Sequence, residues 1–253
     1  MNVGFIGLGA VGGKLAGSLL RNGISLSVFD LDGARVQDFV QRGARDGGSA
    51  AQVMQYCDVV ITSLPSPAAS AAVLDEMMPH IAGKTWMEMS TTDAAQIVAQ
   101  AQAVAAAGGR AVDCPVSGGC HRAGTGNISI FVACDRPTFE QVLPLLTIMG
   151  RRVLHTGDVG TASILKVMTW SVVLLELSAP ILIWFKKTRI PTILVLMVFH
   201  LMTDLTMNLM MFHWIMITGW MSFVSYHDFS ALFSMFSKRD QSEHVEAPLL
   251  STN

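Results

Sequence analysis

Six residues near the start of the chain, Gly7-Leu8-Gly9-Ala10-Val11-Gly12, carry the spacing G-x-G-x-x-G. Glycines so placed suit phosphate chemistry. The first allows a tight turn, the second lets the backbone approach a pyrophosphate, and the third lets a helix and a strand pack closely. A helix beginning near Ala10 would aim unpaired N–H groups and its positive dipole end at the phosphates. The alternative is an ordinary glycine-rich turn. Asp30 ends the next apolar run. A carboxylate there can accept both hydroxyls of a ribose and repels a 2′-phosphate, which favours NAD over NADP. No arginine directly follows it, in keeping with that preference, although Asp30 also reads as a turn former in Asp30-Leu31-Asp32-Gly33.

Such a loop acts only between a strand and a helix, so the surrounding elements decide its meaning. Residues 2–7 form a short apolar run, and residues 11–22 have helical spacing through Leu15, Leu19 and Leu20. Residues 24–30, 57–63, 85–89, 110–113, 127–133 and 152–156 read as further strands. Residues 67–79, 94–107 and 138–149 read as helices between them. Strands separated by helices pair in parallel, because each crossover must run back along the sheet. The expectation for residues 1–160 is therefore a Rossmann-type, doubly wound α/β domain with a mainly parallel sheet.

The rest of the chain has a different composition. The 253 residues carry a net charge of −2, and only 14% are charged; mean hydropathy is +0.46. There is no clustered positive field of the kind nucleic acid requires. Cys57, Cys114, Cys120 and Cys134 form no C-x-x-C pair, so reduced thiols are expected, and neither a disulfide scaffold nor a metal centre. The start of the chain enters a strand at once, without a basic region and apolar core of the signal type, so the first half is expected in the cytoplasm. Asp204 is the only charged residue in 190–225, and Glu176 the only one in 167–185. A membrane span needs about 20 apolar residues. Residues 161–225 thus read as an all-helical, membrane-embedded segment. Its first helix is interrupted at Pro180, and 190–225 forms a hairpin turning near Asp204, Thr206 and Asn208. A buried helical pair in a soluble core is the alternative. Residues 226–253 read as a polar, disordered tail.

With these residues the first half resembles the 3-hydroxyisobutyrate dehydrogenase family of β-hydroxyacid dehydrogenases. The likeness covers residues 1 to about 168. It rests on the opening GFIGLGAVG, Leu64-Pro65-Ser66, Ser90-Thr91-Thr92, Asp113-Cys114-Pro115-Val116-Ser117-Gly118-Gly119, and the segment from Gly157 to Lys166. The resemblance implies that Leu64, Pro65 and Thr91 join the glycine loop in holding the cofactor. It implies that Ser117, Gly118 and Gly119 receive the carboxylate of a small 3-hydroxyacid, and a hydroxyl with successive N–H groups suits that task. Lys166 corresponds to the catalytic lysine that relays the proton of the substrate alcohol. Without that context Lys166 would read as a lysine snorkelling at the foot of an apolar helix.

The pattern then breaks. The asparagine that the resemblance implies four residues after the lysine is Trp170 here, and apolar sequence stands where an all-helical second domain is expected. Glu176, Pro180, residues 185–189 (FKKTR), Phe199-His200, Thr206-Met207-Asn208 and Phe212-His213-Trp214 resemble part of the HTTM membrane domain of vitamin K-dependent γ-carboxylase-like proteins. His200 and His213 read as interhelical or interfacial hydrogen-bonders, or else as polar pathway residues. Together these readings give a membrane protein whose first domain faces the cytoplasm, anchored in the lipid bilayer through 190–225. Dehydrogenase turnover would be impaired, and the oligomeric state stays open. The alternatives are a non-catalytic NAD-binding module on a membrane anchor, or a chain joined near Trp170 from two incomplete coding regions.

Overall fold

The computed structural model describes residues 1–207, 218, 219, 223 and 224. They divide into two compact units, Met1–Thr169 and the part from Trp170 onward.

In the first unit, strands β1 (Val3–Ile6), β2 (Leu26–Phe29), β3 (Arg45–Asp46), β4 (Val59–Thr62), β5 (Thr85–Glu88) and β6 (Arg110–Asp113) pair in parallel in the order β3-β2-β1-β4-β5-β6. Beyond β6 the sheet changes direction. β8 (Ile128–Ala133) runs antiparallel to β6 and to the short β7 (Val116–Ser117), and β9 (Gly150–Gly157) pairs in parallel with β8. The order reverses at β1, where β2 lies on one side and β4 on the other. That is the crevice in which doubly wound sheets hold ligands.

Helices cover both faces. They are α1 (Gly12–Arg21), α2 (Gly33–Gln41), α3 (Ala50–Tyr56), α4 (Pro67–Met77), α5 (Ala94–Ala106), α6 (Gly119–Gly124) and α7 (Arg136–Met149). Alternate strand residues serve opposite layers. Phe5, Ile61, Met87 and Val112 pack with Leu15, Leu19, Val142 and Leu146 on one face. Ile6, Val60 and Trp86 pack with Met54, Met77, Ile97 and Val104 on the other.

The expected strands and helices are all present. Helices α2 and α3 are additional, and both are announced by capping chemistry. Asp32 accepts from Ala34 N, and the Ser49 side chain accepts from Gln52 N. Ser49-x-x-Gln52 is the capping-box spacing. The expected thiols are all free: Cys57, Cys114 and Cys134 are buried and Cys120 is exposed.

The second unit contains most of α8 (Thr161–Trp184) and all of α9 (Lys186–Met207). Pro180 does not interrupt α8, contrary to expectation; a long helix loses one backbone hydrogen bond there and continues. Thr188 and Arg189 cap its end instead. Thr188 Oγ1 donates to Leu182 O at 2.6 Å, and Arg189 Nε donates to Ile183 O at 3.1 Å. These side chains satisfy carbonyls that a helix end leaves open. A turn at Asp204 and Thr206 is likewise corrected, because α9 stays helical through both to Met207. The rest of the expected hairpin (Asn208 and His213 included), the tail 226–253 and the Trp170 side chain lie outside the described residues. Ala179, Ile183, Ile193 and Leu196 pack together, while Leu177 is 69% and Trp184 77% exposed. By length and composition, Thr161–Trp184 is the one helix among the described residues apolar enough to cross a membrane.

Candidate functional site

The glycine loop sits at the carboxyl end of β1. Gly7 has φ +93°, and a Cβ there would meet Ser63 O at 2.3 Å. A Cβ on Gly12 would meet Gly7 O at 2.1 Å. Both glycines are therefore demanded by the protein's own packing. Gly9 differs: a Cβ there would meet only Arg35 Nη1, at 3.7 Å, so its open space is available to a ligand. Helix α1 starts at Gly12, slightly later than expected, and its N-cap Val11 provides no capping side chain. Gly13 N and Lys14 N already donate to Gly9 O and Val11 O, so the N–H groups that precede them in the loop are the ones that suit a pyrophosphate.

Asp30 fastens this loop. Its Oδ2 accepts from Leu8 N at 2.5 Å and its Oδ1 from Asp32 N at 2.8 Å. Arg35 lies 3.9 Å from Asp30 and 3.1 Å from Asp32. Each carboxylate oxygen can accept a second hydrogen bond, so Asp30 still has acceptors for a ribose. Leu8, Gly9, Ala10 and Arg35 line an adjoining pocket of about 550 Å³.

The other named residues come from loops at the ends of β4, β5 and β6. Leu64 N donates to Ser90 Oγ at 2.7 Å, which ties the two cofactor-side loops together. Pro65 is exposed in the first of these loops. Thr91, in the second, accepts from Lys166 Nζ at 2.6 Å. Residues far apart in sequence are thereby joined, Lys166 from the start of α8 with Thr91 from the end of β5. Beside Thr91, the Thr92 hydroxyl is buried without a hydrogen-bond partner among the described residues.

Two buried carboxylates set up this arrangement. Glu88 and Asp113 are neighbours in register at the ends of β5 and β6, and both are fully buried. Asp113 accepts from Gly160 N at 3.2 Å, Ser163 N at 3.1 Å and Ser163 Oγ at 2.9 Å. It thus caps the first turn of α8 from across the sheet and fixes the helix that bears Lys166. Glu88 accepts from Ser90 N at 2.7 Å and from Ser70 Oγ, which steadies the strand end before Thr91. Neither carboxylate was singled out from the sequence. The available signals were a carboxylate closing each of two apolar strands and the aspartate that opens the Asp113–Gly119 segment.

Burial raises both carboxyl pKa values, and the serine hydrogen bonds only partly oppose it. Burial lowers the Lys166 ammonium pKa, and the charge of Asp113 pulls it back up. A lysine so placed is easier to deprotonate than a solvated one. Ser117 is half-buried on β7, and Gly118 and Gly119 follow with φ +130° and +75°. Among the described residues no hydrogen bond joins these three to Lys166, whose side chain donates to Thr91.

The sequence profile of the NAD binding domain of 6-phosphogluconate dehydrogenase matches residues 2–157, and that of the HTTM domain matches residues 153–228. The chain is 32% identical over 172 residues to 2-(hydroxymethyl)glutarate dehydrogenase of Eubacterium barkeri, covering 66% of this chain and 57% of that protein. It is 34% identical over 170 residues to 3-hydroxyisobutyrate dehydrogenase of Pseudomonas aeruginosa, covering 66% and 57%. A solved 3-hydroxyisobutyrate dehydrogenase from Salmonella typhimurium superposes with a TM-score of 0.65 and 26% identity, over 72% of this chain and 66% of that one. The chain spans little more than half the length of the curated relatives it matches. Both likenesses drawn from the motifs are borne out, as is the Rossmann-type sheet.

Proposed function

The chain belongs to the family of the NAD binding domain of 6-phosphogluconate dehydrogenase, and from that premise we propose that it is an NAD-dependent 3-hydroxyacid dehydrogenase of impaired turnover, anchored to a membrane. The observation that carries the catalytic part is the 2.6 Å contact between Lys166 Nζ and Thr91 Oγ1. It puts the one side chain suited to proton relay against the cofactor-side loop.

The residues present fit the cofactor. Gly9 leaves a space that a Cβ would fill, α1 has an uncapped start, and the adjoining pocket is flanked by Asp30's ion-pair partner Arg35. Loop 7–12 would hold the pyrophosphate, Asp30 the adenosine ribose, and Leu64, Pro65 and Thr91 the nicotinamide side. Asp30 favours NAD over NADP by charge. When bound, NAD supplies a hydride acceptor for oxidation of an alcohol. Lys166 takes the alcohol proton in its neutral form, which its lowered pKa makes more abundant. Asp113 holds the start of α8, and Thr91 holds the amine. Ser117, Gly118 and Gly119 orient the substrate carboxylate.

Turnover is weak in this reading because Trp170 stands where the likeness implies an asparagine. Indole offers one donor and no acceptor, so it cannot pair with substrate as an amide does. The same observation favours a second reading, a non-catalytic NAD-binding module. The HTTM match at residues 153–228 supports a membrane link; anchoring through 190–225 requires that Thr161–Trp184, the one described helix long and apolar enough to cross a membrane, lies at the interface instead. With 190–225 as the spanning part, the basic residues 186–189 stay on the cytoplasmic side with the first unit, in line with the positive-inside tendency.

The test is NADH formation from 3-hydroxyisobutyrate and related short 3-hydroxyacids by the full chain in detergent, beside calorimetry of NAD binding. Slow turnover that Lys166→Ala abolishes supports the enzyme. NAD binding without detectable turnover supports the module, and absence of NAD binding sinks both.

A further inference from the structure

A groove of about 760 Å³, to which no glycine-loop residue contributes, is lined by His121 and Arg122 of α6, Thr125 and Asn127 after it, and Arg151 and Arg152 of β9. Its volume is that of a small-molecule site. The four basic side chains are exposed. Among the described residues the ion pairs are those of Arg35, Arg42 and Arg136, so none of the groove's three guanidiniums is neutralised by a carboxylate. Three like charges gathered without a counter-charge repel one another, and an anion placed among them relieves that repulsion.

The backbone is shaped to gather them. Neighbours on a strand normally point to opposite faces, yet Arg151 and Arg152 line the same groove. Ile128 pairs with Gly150 and Ser129 with Arg152, so Arg151 is an extra residue in β9 at a register shift. Such bulges re-aim side chains and are frequent beside functional sites. The opposite wall is fixed as well. Asn127 N donates to Arg122 O at 2.9 Å, and Thr125 Oγ1 donates to the carbonyls of His121 and Arg122 at 3.4 and 3.3 Å. A Cβ at Gly118 would come within 3.0 Å of Arg122 Cδ, so the groove adjoins the loop of Ser117, Gly118 and Gly119.

We propose that this groove binds the phosphate group of a phosphorylated ligand, as a second anion site separate from the glycine loop. Guanidinium groups match phosphate oxygens two at a time, and three of them suit a group carrying two negative charges. The charge is confined to one groove on a chain of net charge −2, which fits a compact anion and not a nucleic-acid track. The phosphate could come from a soluble metabolite or from a lipid headgroup.

The test uses the full chain in detergent with saturating NAD, so that the glycine loop is filled, and titrates inorganic pyrophosphate by calorimetry. Wild-type protein should bind it with an affinity that falls as salt rises. The double variant R151A/R152A should bind at least tenfold more weakly with unchanged affinity for NAD. R122Q, which leaves β9 untouched, should weaken binding in the same direction. A parallel titration with short-chain phosphatidic acid assigns the source: tighter binding than pyrophosphate points to a lipid, weaker binding to a soluble ligand. Equal pyrophosphate affinity in wild type and both variants, or none in wild type, overturns the proposal. Should NAD itself fail to bind, pyrophosphate binding that survives at the glycine loop would be insensitive to the arginine variants, so the two readings fail separately.

Discussion

At the scale of single residues, the proposed chemistry depends on three side chains. Lys166 touches Thr91, and Asp113 acts on Lys166 through the helix start and through its charge. Lys166→Ala is expected to lower turnover by about 10²–10⁴-fold, the usual share of a positioned acid or base, with NAD affinity unchanged. Asp113→Asn tests the electrostatics without needing turnover. The carboxylate raises the Lys166 pKa, so its removal should lower that pKa further. Acylation of Lys166 as a function of pH, followed by peptide mass spectrometry, should show the midpoint moving down; an unmoved or higher midpoint would contradict the assignment. Glu88 gives a third expectation. Its folded pKa is raised by burial, so the folded state binds protons that the unfolded chain releases from about pH 4 upward. Stability contributed at this position should therefore fall as pH rises through the folded value. Glu88→Gln should flatten that part of the pH dependence of the thermal unfolding midpoint. Lys166 was legible because it closes a motif. Asp113 and Glu88 were not, because their partners arrive from Gly160, Ser163 and Ser70, which only the folded sheet brings near.

At the scale of elements, the glycine loop separates packing from binding. Gly12→Ala forces a methyl onto Gly7 O and should cost about 1–3 kcal/mol, as overpacking does. Gly9→Ala meets only the tip of Arg35. It should leave the unfolding midpoint near wild type and weaken NAD binding at least tenfold. Calorimetry and thermal melts on the two variants decide the matter, and equal NAD affinity in Gly9→Ala and wild type would sink the cradle assignment. Strands such as 57–63 and 85–89 were plain from the sequence because burial on both faces makes them mostly apolar, with Val59-Val60-Ile61 and Trp86-Met87 at their centres. Helices α2 and α3 were missed because they are short, nine and seven residues, so their caps at Asp32 and Ser49 are the stronger signal. Pro180 misled in the other direction. A proline weighs heavily in local propensity, yet one missing N–H did not outweigh the rest of a 24-residue helix.

At the scale of the whole molecule, the two units treat their apolar residues differently. The first hides its apolar residues in two layers around a sheet. The second leaves Leu177, Ile181 and Trp184 exposed on α8. The full chain is expected to sediment with membranes, to resist release by high salt or alkaline carbonate, and to come into solution only with detergent. Release by salt alone would count against anchoring. Protease reaching the tail only from the cytoplasmic side of sealed vesicles would agree with the proposed orientation. The change of composition was legible from charge alone, since 167–185 and 190–225 each contain one charged residue. Asp113 bears on how such a chain can arise at all. Among the described residues its hydrogen bonds reach the start of α8 at Gly160 and Ser163, and its charge reaches as far as Lys166. A recombination event that preserved those few positions could therefore replace everything downstream of Lys166 without disturbing the sheet. The segment from Gly160 to Lys166 is in that sense a seam, at which the hold that the sheet exerts through Asp113 ends.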